Sequence, residues 1–415
     1  MKKCTLLFLS IWLFSIAMFG SMADVKGSLV IVGVLDVSDR QIFEKYIELG
    51  GGADKIRIAI IPAANDEPAD SGRYWAENFI RYGVAADHIK VFPIALLDDP
   101  TTPDVDESKW AKNGFSPELA QEIQGYSAVF FVGGDQIRNT QTMKGANGED
   151  SPVLQAIRKI YADGGVIGGH SAGAALMSDP MICEGESMKA LLNGATYKPL
   201  ACPEPTGVSM STGLGFFTAG LVDQHFLKRG RIGRLVAALY AQPKVWLGVG
   251  VDENTAAVVQ QGTIEVVGNS GVLIIDSSKA EMTRTSGGLK ADGLILHYLE
   301  QGDRFNLETK KPEIFAERKK VEKGKEEFAT YPLETNILGP DACRRLLIDG
   351  LADNSQESAE GLSFLLETRG RGKGSRWMFR KSPETVASYK EIAGHDTYSL
   401  TYIQLQIRPI AIRFK

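Results

Sequence analysis

From Ser28 onward, short apolar runs alternate with stretches in which apolar residues recur every three or four positions. The runs near Leu29–Val32, Ile56–Ile61, Lys90–Pro93, Ala128–Val132, Val166–Gly168 and Leu247–Val251 predict buried strands, and Ala256–Gln260 a further one. Between them the 3.6-residue period predicts helices, as at Tyr74–Tyr82 and Val153–Asp163. Such alternation, continuing to about Ala280, predicts an α/β fold: three layers, a mostly parallel sheet with helices on both faces. After about Pro312 the pattern changes. Glu317–Glu327 is dense in charge and reads as a solvated helix or linker, and strand-like Tyr402–Ile412 follows near the C-terminus.

The first residues follow another pattern. A basic start, Met1-Lys2-Lys3, precedes the mostly apolar Leu6–Phe19 and the small residues of Ser21-Met22-Ala23, which predicts a secretory signal peptide over 1–23 and a secreted protein, extracellular or periplasmic. Cys4 lies ahead of the apolar run and so does not read as a lipid anchor, and no later segment reads as a membrane span. Three cysteines follow the predicted cleavage site; in an oxidising compartment Cys183 and Cys202 can pair, leaving Cys343 free, and a different pairing stays open. The expected organisation is thus a signal peptide, a catalytic domain over 24–313, and a charged linker with a C-terminal accessory region over 314–415.

With 415 residues, 44% of them hydrophobic, the chain can bury a large core, and by length it should hold two or more domains. A formal net charge of -5 gives no reason to expect nucleic-acid binding. Neither a zinc-type Cys/His spacing nor a Walker loop occurs, so no metal and no cofactor is expected.

The chemistry concentrates in four segments. Gly169-His170-Ser171-Ala172-Gly173 matches G-x-S-x-G between an apolar run and Ala174-Ala175-Leu176-Met177, the setting of a nucleophile elbow that lifts a serine hydroxyl clear of a sheet. A serine needs a base, and the chain has five histidines: His88, His170, His225, His297 and His395. Of these, His225 lies in a charged cluster at a loop-to-helix junction. The orienting acid is expected at the end of Leu247–Val251, where Asp252 and Glu253 are both open. Finally, Ala128–Val132 runs into Gly133-Gly134-Asp135-Gln136, whose backbone N–H groups can serve as an oxyanion hole.

Together these segments resemble the cyanophycinases, a branch of a serine peptidase family that degrades the storage polymer cyanophycin. The resemblance runs from Lys26–Gly33 to His297–Leu307, and its most specific element is D-Q-H-F-x-x-R-x-R-x-x-R-L, matched from Asp223 to Leu235. It implies Ser171 as nucleophile, His225 as general base and Glu253 as the orienting acid, with Asp252 the fallback. It further implies an oxyanion hole from the N–H groups of Gly134 and Ala172. Gln136, Asp223, Gln224, Arg229, Arg231 and Arg234 would line the substrate cleft. The implied fold is related to class I glutamine amidotransferases, whose elbow residue is cysteine. Two positions depart from the family: His170 stands where threonine is usual, and Gly33-Val34-Leu35 replaces a glycine pair.

Cyanophycin, as the resemblance implies, is polyaspartate with arginine on its β-carboxyls. Arg229, Arg231 and Arg234 can grip carboxylates in bidentate fashion, and Asp223 can accept from a guanidinium. Because Ile232, Leu235, Val236 and Leu239 have the spacing of a core face, Arg231 and Arg234 are expected to point away from the core. The expected activity is release of β-aspartyl-arginine dipeptides. Alternatives are a related aspartyl or isoaspartyl dipeptidase and, from another class, a non-catalytic polymer-binding protein; a homodimer stays open.

Overall fold

Ser28–Val32 is buried throughout, and as a strand it turns Leu29 and Ile31 to one face and Val30 and Val32 to the other. The computed structural model describes residue 22 and residues 25–367, 370–392 and 394–413; the expected signal peptide lies, residue 22 apart, outside them. In chain order the strands are β1 (Ser28–Val32), β2 (Ile58–Ile61), β3 (Ile89–Val91), β4 (Ala128–Phe131), β5 (Val166–His170), β6 (Met181–Gly185), β7 (Ala195–Tyr197), β8 (Val208–Ser211), β9 (Leu221–Asp223) and β10 (Leu247–Val251). Then follow β11 (Thr255–Gln260), β12 (Thr263–Gly268), β13 (Val272–Asp276), β14 (Glu281–Thr285), β15 (Gly288–Leu299), β16 (Arg304–Asn306), β17 (Lys311–Glu313), β18 (Lys319–Lys320), β19 (Ser358–Leu366), β20 (Arg371–Ile392) and β21 (His395–Arg413). The helices are α1 (Arg40–Leu49), α2 (Pro68–Arg81), α3 (Pro117–Ile123), α4 (Gln136–Met143), α5 (Pro152–Ala162), α6 (Ala172–Ala175), α7 (Ser187–Asn193), α8 (Ile232–Ala241) and α9 (Ala342–Leu347).

The fold is mixed α/β. In the first nine-stranded sheet, ordered β17-β16-β12-β11-β1-β5-β4-β2-β3, strands β1 to β5 are parallel and form the expected alternation with helices. The expectation of a mostly parallel sheet is corrected for the rest: β11, β12, β16 and β17 are antiparallel. The cause is local. Only Gln261 and Gly262 join β11 to β12, both at positive φ (45° and 75°), and so short a connection makes a hairpin, never a parallel crossover.

Leu247–Val251 belongs to a second nine-stranded sheet, in which β9 and β10 are parallel and the remaining pairs antiparallel. A three-stranded sheet, β6-β8-β7, stands apart. Helices α1 and α2 cover the Val30/Val32 face of the first sheet. Its other face shares a core with α3, α5 and the second sheet through Leu29, Ile31, Val129, Val249 and Ile274. Beyond that, Leu273 and Ile275 pack with α8 and α9. Helix starts follow their sequence signals: Ser151 Oγ accepts from Leu154 N at 3.2 Å with Pro152 in the first turn of α5, and Ser116 caps α3 in the same way.

The region from 314 is not hung on the domain by a linker, which corrects the expected boundary. Strand β21 pairs with β15 in the middle of the second sheet, and Trp377, Phe379, Ile403, Leu405 and Ile407 are buried in the core they share with α8. Nor is the charged run a helix. It holds a two-residue strand, β18, pairing β20, followed by a turn at Lys323-Gly324, and Arg318 is buried with Nε 3.2 Å from Asp303 Oδ1 and Nη1 donating to Thr397 O at 3.0 Å. Cys183 and Cys202 form a disulfide, while Cys343 is free and buried. No helix among the described residues is long and apolar enough to cross a membrane.

Candidate active site

Strand β5 ends at His170 and α6 begins at Ala172, so Ser171 alone makes the turn, at φ 53° and ψ -111°. The turn is held by Ser171 N donating to Val32 O at 3.0 Å, and it is tight: a Cβ on Gly173 would fall 2.2 Å from Phe131 O. Only glycine allows that approach of helix to strand.

Two further strand ends, from the second sheet, complete the cluster. Parallel β9 and β10 finish side by side, with Asp223 opposite Gly250, so His225 and Glu253 leave neighbouring strand ends. Ser171 Oγ lies 3.0 Å from His225 Nε2, and His225 Nδ1 lies 2.7 Å from Glu253 Oε1. The site therefore sits where the C-terminal edges of two sheets meet, not on one sheet. His225 and Asn254 share Ser171's positive φ, at 49° and 55°. Non-glycine residues persist there only where the surroundings over-determine them.

Burial holds His225 below its ordinary value; Arg229 and Arg231 add to this, against the pull of Glu253. The ring is thus neutral near pH 7 and free to take a proton. Such a line of hydroxyl, imidazole and carboxylate can deprotonate a serine as it attacks a carbonyl. Asp252 faces elsewhere: Oδ1 accepts from Lys228 N at 3.1 Å, Oδ2 from Ser270 Oγ at 3.3 Å, and burial raises its carboxyl. The N–H groups of Gly134 and Ala172 have no protein acceptor among the described residues.

The expected cleft residues divide. Arg229 is exposed, without an ion pair among the described residues. Arg231 precedes α8 and donates to Gln224 O and Gln224 Oε1, both at 2.8 Å. Arg234 does not point away from the core. It is 5% exposed, donates to Asp223 Oδ2 at 2.8 Å, to Asp223 Oδ1 at 2.5 Å and to Gly185 O at 3.0 Å. Asp223 in turn accepts from Arg234 and from Gln224 N and is buried, so it is committed within the fold. Gln136 uses its amide to hold Ile182 O and Cys183 O, at 2.9 and 2.8 Å.

Asn65 stands here unforeseen, and beside it His170, the departure from the family pattern, takes a structural place. Asn65, in the loop after β2, donates to Gly133 O at 3.1 Å. His170 accepts from Gly133 N through Nε2 at 3.0 Å and is wedged against Trp75 and Phe130. Asn65 follows Pro62-Ala63-Ala64 directly after a predicted strand, and a polar residue at that edge was the available signal.

No protein-family model matches the chain. Among curated proteins, the cyanophycinase of Trichormus variabilis is 34% identical over 303 residues, covering 71% of this chain and 89% of that protein. That of Geminocystis herdmanii is 34% identical over 292 residues, covering 68% and 94%. That of Synechococcus elongatus is 31% identical over 293 residues, covering 68% and 80%. The chain belongs to the cyanophycinase family. It is accordingly a serine-type peptidase, a hydrolase. A crystal structure of a peptidase from an acI-B1 actinobacterium overlaps 68% of this cyanophycinase-family chain and 98% of its own, at 21% identity and a TM-score of 0.46.

Proposed function

We propose that this chain is a secreted exopeptidase that hydrolyses cyanophycin to β-aspartyl-arginine dipeptides by a Ser171–His225–Glu253 mechanism. The observation that carries the mechanism is the unbroken line from Ser171 Oγ through His225 to Glu253, at 3.0 and 2.7 Å. Ser171 Oγ attacks a backbone carbonyl carbon of the polymer while His225 Nε2 takes its proton. Glu253 fixes the ring and offsets the charge that His225 gains. The N–H groups of Gly134 and Ala172 receive the oxyanion. Collapse breaks the C–N bond, His225 hands its proton to the leaving amine, and water releases the acyl group by the same steps.

The substrate rests on the names of the relatives and on charge. Arg229 offers a guanidinium uncommitted among the described residues beside the site, and Arg231 one shared with Gln224, both suited to polymer carboxylates. Secretion is supported by the basic and apolar start of the chain and by the Cys183–Cys202 bridge, since disulfides persist in oxidising compartments. For the scaffold, the parallel strands with an elbow at β5 favour kinship with class I glutamine amidotransferases, with serine in place of cysteine.

The test is incubation of the purified chain with insoluble cyanophycin and mass spectrometry of what dissolves. β-Aspartyl-arginine dipeptide is expected. Protein bound to the pellet without product would overturn the enzymatic reading, and cleavage of isoaspartyl dipeptides alone would overturn the substrate.

A further inference from the structure

Gly133 has one polar group at each end, and the fold has bound both. Its N–H donates to His170 Nε2 at 3.0 Å, and its C=O accepts from Asn65 Nδ2 at 3.1 Å. Because the peptide between Gly133 and Gly134 is trans, fixing the carbonyl toward Asn65 sends the Gly134 N–H the opposite way. That N–H, like that of Ala172, has no protein acceptor among the described residues. We propose that Asn65 and His170 are positioning residues that clamp Gly133 and so aim the Gly134 N–H at the developing oxyanion. The proposal rests on the serine-hydrolase reading above and goes beyond it, since neither residue touches substrate.

The clamp is itself braced. Asn65 Oδ1 accepts from Glu67 N at 2.9 Å and Asn65 N donates to Pro62 O at 2.9 Å, so the amide cannot swing freely. Asp135 N donates to Ala64 O at 2.8 Å, tying the far side of Gly134 to the same loop. At φ 140° Gly134 holds a conformation open to glycine, and a Cβ there would fall 2.1 Å from Ala64 O. His170 must present a bare Nε2 to accept from Gly133, which places its proton on Nδ1, a buried atom without a partner among the described residues. An unpaired buried donor is costly. It is retained one residue from the nucleophile, where the ring supplies the acceptor that Gly133 requires. Without the clamp the Gly133–Gly134 peptide can rotate, and a preorganised donor becomes one that must be ordered during the reaction.

The experiment uses Asn65→Ala, Asn65→Asp and His170→Leu in the full chain, with a peptide and a minimal activated ester as substrates. Asn65 lies in a partly exposed loop, so its variants should fold even if His170→Leu does not. For Asn65→Ala, kcat is expected to fall about 10- to 100-fold on both substrates with KM little changed, since one hole donor is misaimed and not removed. Affinity for a peptide aldehyde that forms a tetrahedral adduct should fall in parallel. Asn65→Asp, which sets an acceptor against Gly133 O, should lose more. Full kcat in both Asn65 variants, or a loss confined to KM, would overturn the proposal. Ser171→Ala run alongside separates the two readings: if it keeps activity, the serine mechanism fails; if it is dead while Asn65→Asp is normal, only the clamp fails.

Discussion

The C-terminal edge of β5, β9 and β10 and the long hairpins β15, β20 and β21 belong to one molecule and are built by opposite rules. At the edge, Ser171, His225 and Asn254 take positive φ, two N–H groups lack acceptors among the described residues, and His225 is held neutral. In the hairpins, backbone ladders and aromatic and aliphatic side chains such as Trp377 and Phe379 fill a core, and in the loops packed on them charges such as Arg318 and Asp303 meet in pairs. Strain and unmet hydrogen bonding gather at the candidate site; the hairpins carry less of either, with Tyr402 at φ 58° and a buried Ser388 Oγ unpartnered among the described residues, and supply packing. Changes at the edge should therefore remove activity and spare the fold, and changes in the hairpins the reverse.

The largest effects should fall on either side of that line. Ser171→Ala is expected to lower kcat by about 10⁴- to 10⁶-fold with an unchanged melting temperature, and adding His225→Ala should cost little more, because the two act as a unit. A chain ending at Glu313 should instead fail to give soluble folded protein, since β15 loses β21 and the shared core is opened. A folded, active truncation by circular dichroism and turnover would break the comparison.

Smaller effects sharpen it. Glu253→Gln should cost about 10²- to 10⁴-fold in kcat. Because Glu253 pulls the His225 pKa upward, the same change should shift the acid limb of the kcat/KM profile, expected below pH 6.5, to still lower pH. Arg234→Gln should destabilise the protein by about 3–5 kcal/mol in denaturant melts, since it strands Asp223 at 1% exposure. Arg229→Gln should leave the melt alone and cut kcat/KM on carboxylate-bearing oligomers about 10- to 100-fold, sparing a minimal ester. Equal loss on both substrates would return Arg229 to a structural role.

The smallest effect is a pH dependence of stability. Burial holds the His170 pKa down to about 3 and the His297 pKa down to about 4, while unfolded histidine titrates near 6.5. Below 6.5 the unfolded chain takes up protons that the native rings refuse. Stability should thus be full above pH 6.5 and decline as pH falls toward 4. His297→Leu should flatten the slope of melting temperature against pH in that window, and an unchanged slope would show that the ring is not responsible.

The parallel half of the fold was legible because β1, β2, β4 and most of β5 are buried on both faces and read as apolar runs, with β3 only partly buried, and because the 3.6-residue period of Val153–Asp163 marks a helix. Of the hairpins only the strand character of Tyr402–Ile412, part of β21, was legible. Strands β20 and β21 mix lysine, arginine and tyrosine with apolar residues, and nothing local says that β21 will dock on β15, which precedes it by about a hundred residues. At the site, the elbow and the histidine segment were readable from glycines and charge. Asp252 and Glu253 stayed ambiguous because neighbours on a strand end point oppositely, and only register decides; here Glu253 bridges to Val34 and Asp252 turns inward. Arg234 was misread because a helix wheel cannot show that Asp223, on β9, waits inside to pair with it.

The most direct test of the central claim is intact-mass spectrometry of the full chain after treatment with a fluorophosphonate, which phosphonylates an activated serine with loss of fluoride. A single adduct, mapped to Ser171 and absent from Ser171→Ala and His225→Ala, is the expected result. An adduct on another residue, or one that forms at full rate in His225→Ala, would contradict the account.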